Sequence, residues 1–273
     1  MYKTLRLGKI VLVIDRPLVM GILNITPDSF YDGSRAMSEK RWLAQAENML
    51  KEGATFIDVG GCSTRPGAAE APEEQEMSRV IPAIQSLKKN FPDAHLSVDT
   101  FRSQVAQAAV EEGAEMINDV SGGNESMIET AAKHKIPYVC THSRGNPQTM
   151  SSLTDYEDVT EEVMNFFRQK ISWLRERGVT DAVIDPGFGF AKTTEQNFLL
   201  LQNLERFQLF GCPVMAGISR KSMIWKTLQQ TPADALNGTS VLNTAALLKG
   251  ASILRVHDVK EATEAVILTE KLR

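Results

Sequence analysis

The stretch LSVDTFRSQVAQAAVEEGAEMIND, Leu96–Asp119, carries the pattern that decides the fold. Leu96–Val98 is a short apolar run suited to a buried strand, and it ends in Asp99. Apolar residues at helical spacing follow, and Gly113 stands where a left-handed helix C-cap is cheap for glycine. Met116–Asn118 is then a second strand, again ending in polar groups. The same unit recurs along the chain. The strands it predicts are Val19–Leu23, Phe56–Val59, Leu96–Val98, Met116–Asn118, Tyr138–Thr141, Ala182–Ile184, Val214–Ala216 and Ile253–Val256. Strand–helix alternation requires parallel strands with right-handed crossovers. About eight such units favour a closed (β/α)8 TIM barrel over an open sheet.

The intervening segments support the same reading. Trp42, Ala46, Met49 and Leu50 share one helical face, as do Met77, Val80, Ile81, Ile84 and Leu87. Thr154 followed by Glu157 reads as a capping box opening a helix that carries Tyr156, Val159, Val163 and Phe167 inward. Ser38 reads as an N-cap, and Gly53 and Gly178 as further helix ends. Leu5–Ile14 is a short N-terminal hairpin turning at Gly8-Lys9, placed to close one end of the barrel. With no linker or low-complexity tract, residues 1–273 read as one barrel domain. Thr26–Ser38 and Ser63–Pro72, rich in Pro, Gly, Ser and Asp, are long loops after the first two strands.

Composition narrows the function. A length of 273 residues suits one barrel, and 42% apolar residues fill a sizeable core. A net charge of −4 argues against nucleic-acid and membrane-surface binding. Cys62, Cys140 and Cys212 are odd in number and far apart, which reads as reduced thiols. No apolar run is long enough for a bilayer and Met1–Leu12 lacks a signal-peptide pattern, so a cytoplasmic location is expected.

The chemistry sits where strands end. The exits are Asn24; Gly60-Gly61 leading to Ser63-Thr64-Arg65-Pro66-Gly67; Asp99; Asn118 and Asp119; Asp185; Ser219-Arg220-Lys221-Ser222; and Arg255 with His257. A barrel gathers such groups at one mouth. Any single strand-end Asp or Asn is commonly a turn-former or cap, and Asp119 and Asp258 suit that role. The coincidence across strands outweighs it. Arg255 and His257, two residues apart on an extended strand, point the same way. With Asn24 they form a cationic corner suited to phosphate, where the amide oxygen of Asn24 can ligate Mg²⁺. The lesser alternative pairs Arg255 with a rim carboxylate. Asp99, Asn118 and Asp185 suit a flat heterocycle with amino and lactam edges, and Lys221 a ring carbonyl. A Schiff-base role for Lys221 competes, but carboxylate neighbours keep a lysine protonated.

The segments Gly21–Phe30 (GILNITPDSF), Asp58–Gly67 (DVGGCSTRPG), Asp185–Phe190 (DPGFGF), Ser219–Ser222 (SRKS) and Arg255–Val259 (RVHDV) closely resemble the dihydropteroate synthases. The likeness runs in order from about Val19 to the last helix. It implies a folate-pathway transferase joining 4-aminobenzoate to (7,8-dihydropterin-6-yl)methyl diphosphate, releasing diphosphate. It places the pterin pocket on Asp99, Asn118, Asp185 and Lys221. The diphosphate and Mg²⁺ site falls on Asn24, Arg255 and His257, with Thr64 reaching the substrate. The aminobenzoate site falls on Thr64, Arg65, Pro66, Phe190, Lys221 and Ser222, where sulfonamides would compete. On this reading Asn24, Asp99, Lys221 and Arg255 are the catalytic set, and two copies pair through helices as a homodimer.

Some positions depart from the family pattern. Cys62 stands in place of Glu, Ala191 in place of Gly, and the exit Thr141-His142-Ser143-Arg144-Gly145 in place of Met-His-x-x-Gly. Cys140 is expected to line the pterin pocket. A methyltransferase acting on a methylated pterin, or a non-catalytic pterin-binding barrel, shares the Asn24, Asp99, Asn118 and Asp185 pocket. The first does not need the Ser63–Gly67 loop, Ser219–Ser222 or the Arg255–His257 corner; against the second, the diphosphate corner and both long loops are intact in sequence.

Overall fold

The period of two along each strand builds this molecule. A computed structural model describes residues 3–25, 35–62, 71–146 and 148–272. Its barrel strands are β3 (Leu18–Asn24), β4 (Phe56–Gly60), β5 (His95–Asp99), β6 (Met116–Asp119), β7 (Tyr138–Thr141), β8 (Ala182–Asp185), β9 (Met215–Ala216) and β10 (Ile253–Val256). All pair in parallel in the order β8-β7-β6-β5-β4-β3-β10-β9. A parallel bridge from Ile184 to Val214 joins the two ends, and the Ile184 N–H donates to the Pro213 carbonyl at 3.0 Å. The sheet thus closes into the expected TIM barrel. All eight predicted strands are present, with no end shifted by more than one residue.

Helices follow the strands: α1 (Arg35–Lys51), α2 (Glu73–Asn90), α3 (Ser103–Glu111), α4 (Glu125–His134), α5 (Val159–Glu176), α6 (Thr194–Gln202), then α7 (Ser222–Thr227) and α8 (Leu236–Leu248) together, and α9 (Val259–Glu270). Outward strand residues such as Leu23, Ile57, Val98, Ile117, Ile184 and Leu254 pack with Val80, Ile84, Val105, Ile128 and Phe167 from the helices. Inward residues form a separate cluster: Leu18, Met20, Phe56, Met116, Val139, Val183, Met215 and Ile253. The hairpin of β1 (Lys3–Leu7) and β2 (Ile10–Ile14) adds Leu5, Leu7 and Ile14 to that cluster. Each of these side chains gains about 1.5–3 kcal/mol from leaving water. The hairpin therefore plugs the N-terminal end, as its sequence suggested, and leaves the opposite mouth for polar groups.

Two helix starts differ from expectation. α5 begins at Val159, and its cap is Asp158, whose carboxylate accepts from the N–H groups of Thr160 and Glu161 at 2.8 and 3.0 Å. A carboxylate at that point also faces the positive end of the helix dipole. Thr154 instead gives its carbonyl to Gln196. Ser38 is buried inside α1, which starts three residues earlier. Gly53, Gly113 and Gly178 have φ of +100°, +110° and +86°, the left-handed conformation expected of helix ends.

Candidate active site

Inward parity continues from the plug to the mouth, and there the side chains turn polar. Two residues beyond Phe56 the inward position of β4 is Asp58, and two further is Gly60. The same count gives Ser97 and Asp99 on β5, Asn118 on β6, Thr141 on β7, Asp185 on β8, Gly217 after β9 and Arg255 on β10. Asp58, Ser97, Asp99, Asn118, Thr141 and Asp185 are all buried. Buried polar side chains need partners or a ligand, because each unmatched group costs about 1–3 kcal/mol.

Arg255 organises the floor. Its Nε donates to Asp58 Oδ2 at 2.6 Å and its Nη2 to Asp99 Oδ2 at 2.5 Å. Asn118 Nδ2 donates to the same Asp58 oxygen at 2.9 Å. That bond orients the amide and leaves its oxygen without a partner. Asn118 Oδ1, Asp99 Oδ1, Asp58 Oδ1 and Thr141 Oγ1 are buried without a partner. Asp185 Oδ1 accepts from the Gly187 N–H at 2.8 Å. A Cβ added to Gly217 would lie 3.5 Å from Asp185 Oδ2 and 4.0 Å from Lys221 Nζ. The missing side chain leaves that oxygen and that ammonium facing open space.

The remaining candidates ring this floor. Asn24 is exposed at the end of β3, and a Cβ on Gly60 would lie 3.5 Å from its Oδ1 and 3.6 Å from Asp99 Oδ2. Gly60 thus holds open the space between amide and carboxylate. His257 Nδ1 lies 3.1 Å from Ser219 Oγ. Lys221 Nζ donates to the Phe188 carbonyl and stands 4.4 Å from the Phe190 ring centre. Ser222 opens α7. Thr64, Arg65 and Pro66 lie outside the described residues. The edges of their loop are tied down nearby. Arg79 donates to the Gly61 carbonyl at 2.8 Å, and Arg102 to the Ala71 carbonyl at 2.5 Å. Fully buried Glu76 bonds Arg102 at 2.5 Å and Thr100 at 2.6 Å.

Electrostatics follow from burial and pairing. Burial pushes the Asp99 carboxyl up to about 7, against the pull of Arg255. Asp185 is likewise raised by burial, with Lys221 opposing. Burial lowers Lys221 to about 8, with Asp185 opposing. Burial disfavours the Arg255 charge, but Asp58 and Asp99 more than offset this and hold it above its ordinary value. The site thus holds acceptors and cations close together, able to grip a ligand that carries both ring donors and negative charge.

The structure brings together Asn24, Asp99, Asn118, Asp185, Lys221 and Arg255, with His257, Phe190 and Ser222 at the rim. Arg255 does not stand apart on that rim; it bonds the floor carboxylates, the arrangement that sequence weighed as the lesser alternative. Asp119 faces outward and takes the Tyr138 hydroxyl at 2.7 Å and the Ser121 N–H at 2.7 Å, a turn-former as expected. Asp258 pairs with Arg220 at 2.8 Å. Cys140 corrects an expectation. It has outward parity and joins the cluster between barrel and helices, so it does not line the pocket; Thr141 does. Asp58 was missed as a site residue. Counting by two from Gly60 along β4 would have found it. Among the described residues no cluster of three His, Cys, Asp or Glu side chains is arranged to hold a metal.

Known proteins match this geometry. Residues 20–257 match the family model described as pterin binding enzyme. A dihydropteroate synthase of Synechocystis is 44% identical over 94% of this chain and 90% of its own length. That of Escherichia coli is 42% identical over 94% of this chain and 92% of its own. Among solved structures, a Yersinia pestis dihydropteroate synthase in a sulfonamide drug complex superposes with a TM-score of 0.92, at 40% identity, covering 100% of this chain and 99% of that one. A Xanthomonas albilineans dihydropteroate synthase with 4-aminobenzoic acid gives 0.92 at 38% identity, covering 100% and 98%. The fold and the extent of identity agree, and the chain belongs to the dihydropteroate synthase family of pterin-binding enzymes.

Proposed function

We propose that the strand-end residues divide the two substrates of a dihydropteroate synthase between a floor, a corner and an edge. The reaction is transfer of a pterinylmethyl group. The bond between the methylene carbon and the diphosphate oxygen breaks, diphosphate leaves, and the amino nitrogen of 4-aminobenzoate bonds to that carbon and sheds a proton. The observation that carries the assignment is the set of buried, unpartnered acceptors, Asp99 Oδ1 and Asn118 Oδ1, beside the open oxygen of Asp185. Acceptors left empty in a buried site match the amino and ring N–H donors of a dihydropterin. Lys221 donates to the ring carbonyl and offsets the carboxylates' charge.

The corner takes the diphosphate. Arg255 and His257 supply donors as negative charge develops on the leaving group, the general role of preorganised donors. The exposed amide oxygen of Asn24, beside the space that Gly60 leaves open, fits a Mg²⁺ that keeps most of its waters. When bound, Mg²⁺ neutralises diphosphate charge. The edge takes 4-aminobenzoate between Phe190, Ser222 and the loop carrying Thr64, Arg65 and Pro66. The arylamine is neutral near pH 7, so the site needs no strong general base. A pairing of two copies is supported by exposed Val241 and Leu248 on α8 and Ile267 and Leu268 on α9. Sedimentation equilibrium giving a monomer mass would refute that pairing. No helix of the described residues is long and apolar enough to cross a membrane.

The floor is tested by Asp185→Asn. The amide turns an N–H toward the ring's own donors or toward the Gly187 N–H. Calorimetric titration with the pterin diphosphate should show most of the affinity lost, a fall of about 1–3 kcal/mol. Unchanged affinity overturns the pterin pocket as assigned.

A further inference from the structure

Lys192 is buried, lies outside the substrate-facing floor, and has no part in the reaction as assigned. Its Nζ has three partners: His142 Nδ1 at 3.0 Å, the Gly187 carbonyl at 3.0 Å and the Phe190 carbonyl at 3.1 Å. An ammonium has three donors and no acceptor, so these partners match it one for one. Burial and the neighbouring cation keep His142 neutral, which leaves Nδ1 free to accept.

The ammonium sits inside the turn that follows β8. The Phe190 N–H donates to the Gly187 carbonyl at 3.1 Å and closes that turn. Gly187 has φ of +74°, and a Cβ there would come within 1.9 Å of the His142 carbonyl. Ala191 has φ of +49°, a left-handed conformation that strains an L residue. The turn is therefore tight, and it points two of its carbonyls at one side chain. Its outer face carries the Phe188 carbonyl, which binds Lys221 Nζ, and the Phe190 ring, 4.4 Å from the same nitrogen.

We propose that Lys192 is a positioning residue whose buried ammonium holds the 187–190 turn in the shape that presents Phe190 to 4-aminobenzoate. The inference rests on the assignment of Phe190 to the aminobenzoate edge. Without the ammonium, the Phe190 carbonyl and the His142 imidazole nitrogen would lose their partner, the Gly187 carbonyl would keep only the Phe190 N–H, and the turn would reopen to satisfy them. Of the pterin floor, Asp99, Asn118 and Arg255 are held by the separate Asp58 and Asp99 bonds, while Asp185 and Lys221 reach the turn only through the Gly187 N–H and the Phe188 carbonyl.

The test is steady-state kinetics of full-length Lys192→Met with both substrates varied, beside Phe190→Ala. The expected result for Lys192→Met is a rise of about tenfold in the KM for 4-aminobenzoate, with the KM for the pterin diphosphate rising by a clearly smaller factor, about threefold or less. If thermal melting shows that Lys192→Met does not fold, Lys192→Gln is read in the same way. An equal change in both KM values, or a loss of kcat alone, overturns the inference by showing a general structural role. Phe190→Ala separates the two layers. If it raises the aminobenzoate KM while both Lys192 variants do not, only the inference fails. If Phe190→Ala leaves that KM unchanged, the edge assignment fails and the inference falls with it.

Discussion

Asp58→Ala removes the one carboxylate oxygen that joins Arg255 to Asn118. The side chain is fully buried, and its Oδ2 accepts from Arg255 at 2.6 Å and from Asn118 at 2.9 Å. Breaking a buried ion pair by removing one partner costs about 3–5 kcal/mol, because the other charge stays buried. Arg255 keeps Asp99 at 2.5 Å, which places the loss at the lower end. The stranded amide donor of Asn118 adds about 1 kcal/mol. A total near 4 kcal/mol corresponds to a fall in Tm of roughly 8–16 °C for a chain of this size. Asp58→Asn keeps an acceptor oxygen and should lose about half as much. Circular dichroism melts measure this, and calorimetry with the pterin diphosphate measures the second effect, since an Asn118 amide free to rotate no longer presents its oxygen. A double-mutant cycle with Arg255→Met should show strong coupling, because with Asp58 gone the loss of the arginine strands only Asp99. If Asp58→Ala melts within about 2 °C of the parent and binds pterin equally well, the organising role of this carboxylate is wrong.

Arg255→Ala leaves Asp58 and Asp99 buried without their shared cation; it should cost about 3–5 kcal/mol in stability. Turnover of the folded fraction should fall by about 10²–10³ from loss of a leaving-group donor, and unchanged turnover would refute the diphosphate assignment. Stability should rise between about pH 8 and the ordinary lysine range. Burial depresses Lys221 to about 8, so over that interval the unfolded chain binds a proton that the folded chain has released. Urea unfolding at pH 7 and pH 9.5 should therefore show the parent gaining on Lys221→Met as pH rises; a constant gap would contradict the depressed lysine. Leu5→Ala removes a fully buried plug residue and should cost about 2–5 kcal/mol while leaving both KM values intact.

Much of this was legible in the sequence because the barrel rests on local signals. Each strand is a short apolar run followed by a polar exit, and Gly53, Gly113 and Gly178 mark helix ends where the backbone turns left-handed. The parity that sends Asp99, Asn118 and Asp185 inward follows from strand geometry alone. What stayed hidden depends on contacts distant in sequence. Asp58 lies inside a strand rather than at its end, and its pairing with Arg255 spans 197 positions. Cys140 lies beside the β7 exit, but its outward parity turns it toward the helices. The α5 cap was misplaced because Thr154–Glu157 and Asp158 both satisfy local capping rules, and the fold draws the Thr154 carbonyl to Gln196 instead. Lys192 gave no signal in sequence, since its three acceptors meet only once the turn after β8 folds against His142.

The central claim is that this mouth transfers a pterinylmethyl group to an arylamine. The most direct measurement is diphosphate release from (7,8-dihydropterin-6-yl)methyl diphosphate and Mg²⁺, with and without 4-aminobenzoate, followed by chromatography of the product. The account predicts release that depends on 4-aminobenzoate and matches 7,8-dihydropteroate formed mole for mole. Tight pterin binding with no aminobenzoate-dependent release would contradict it.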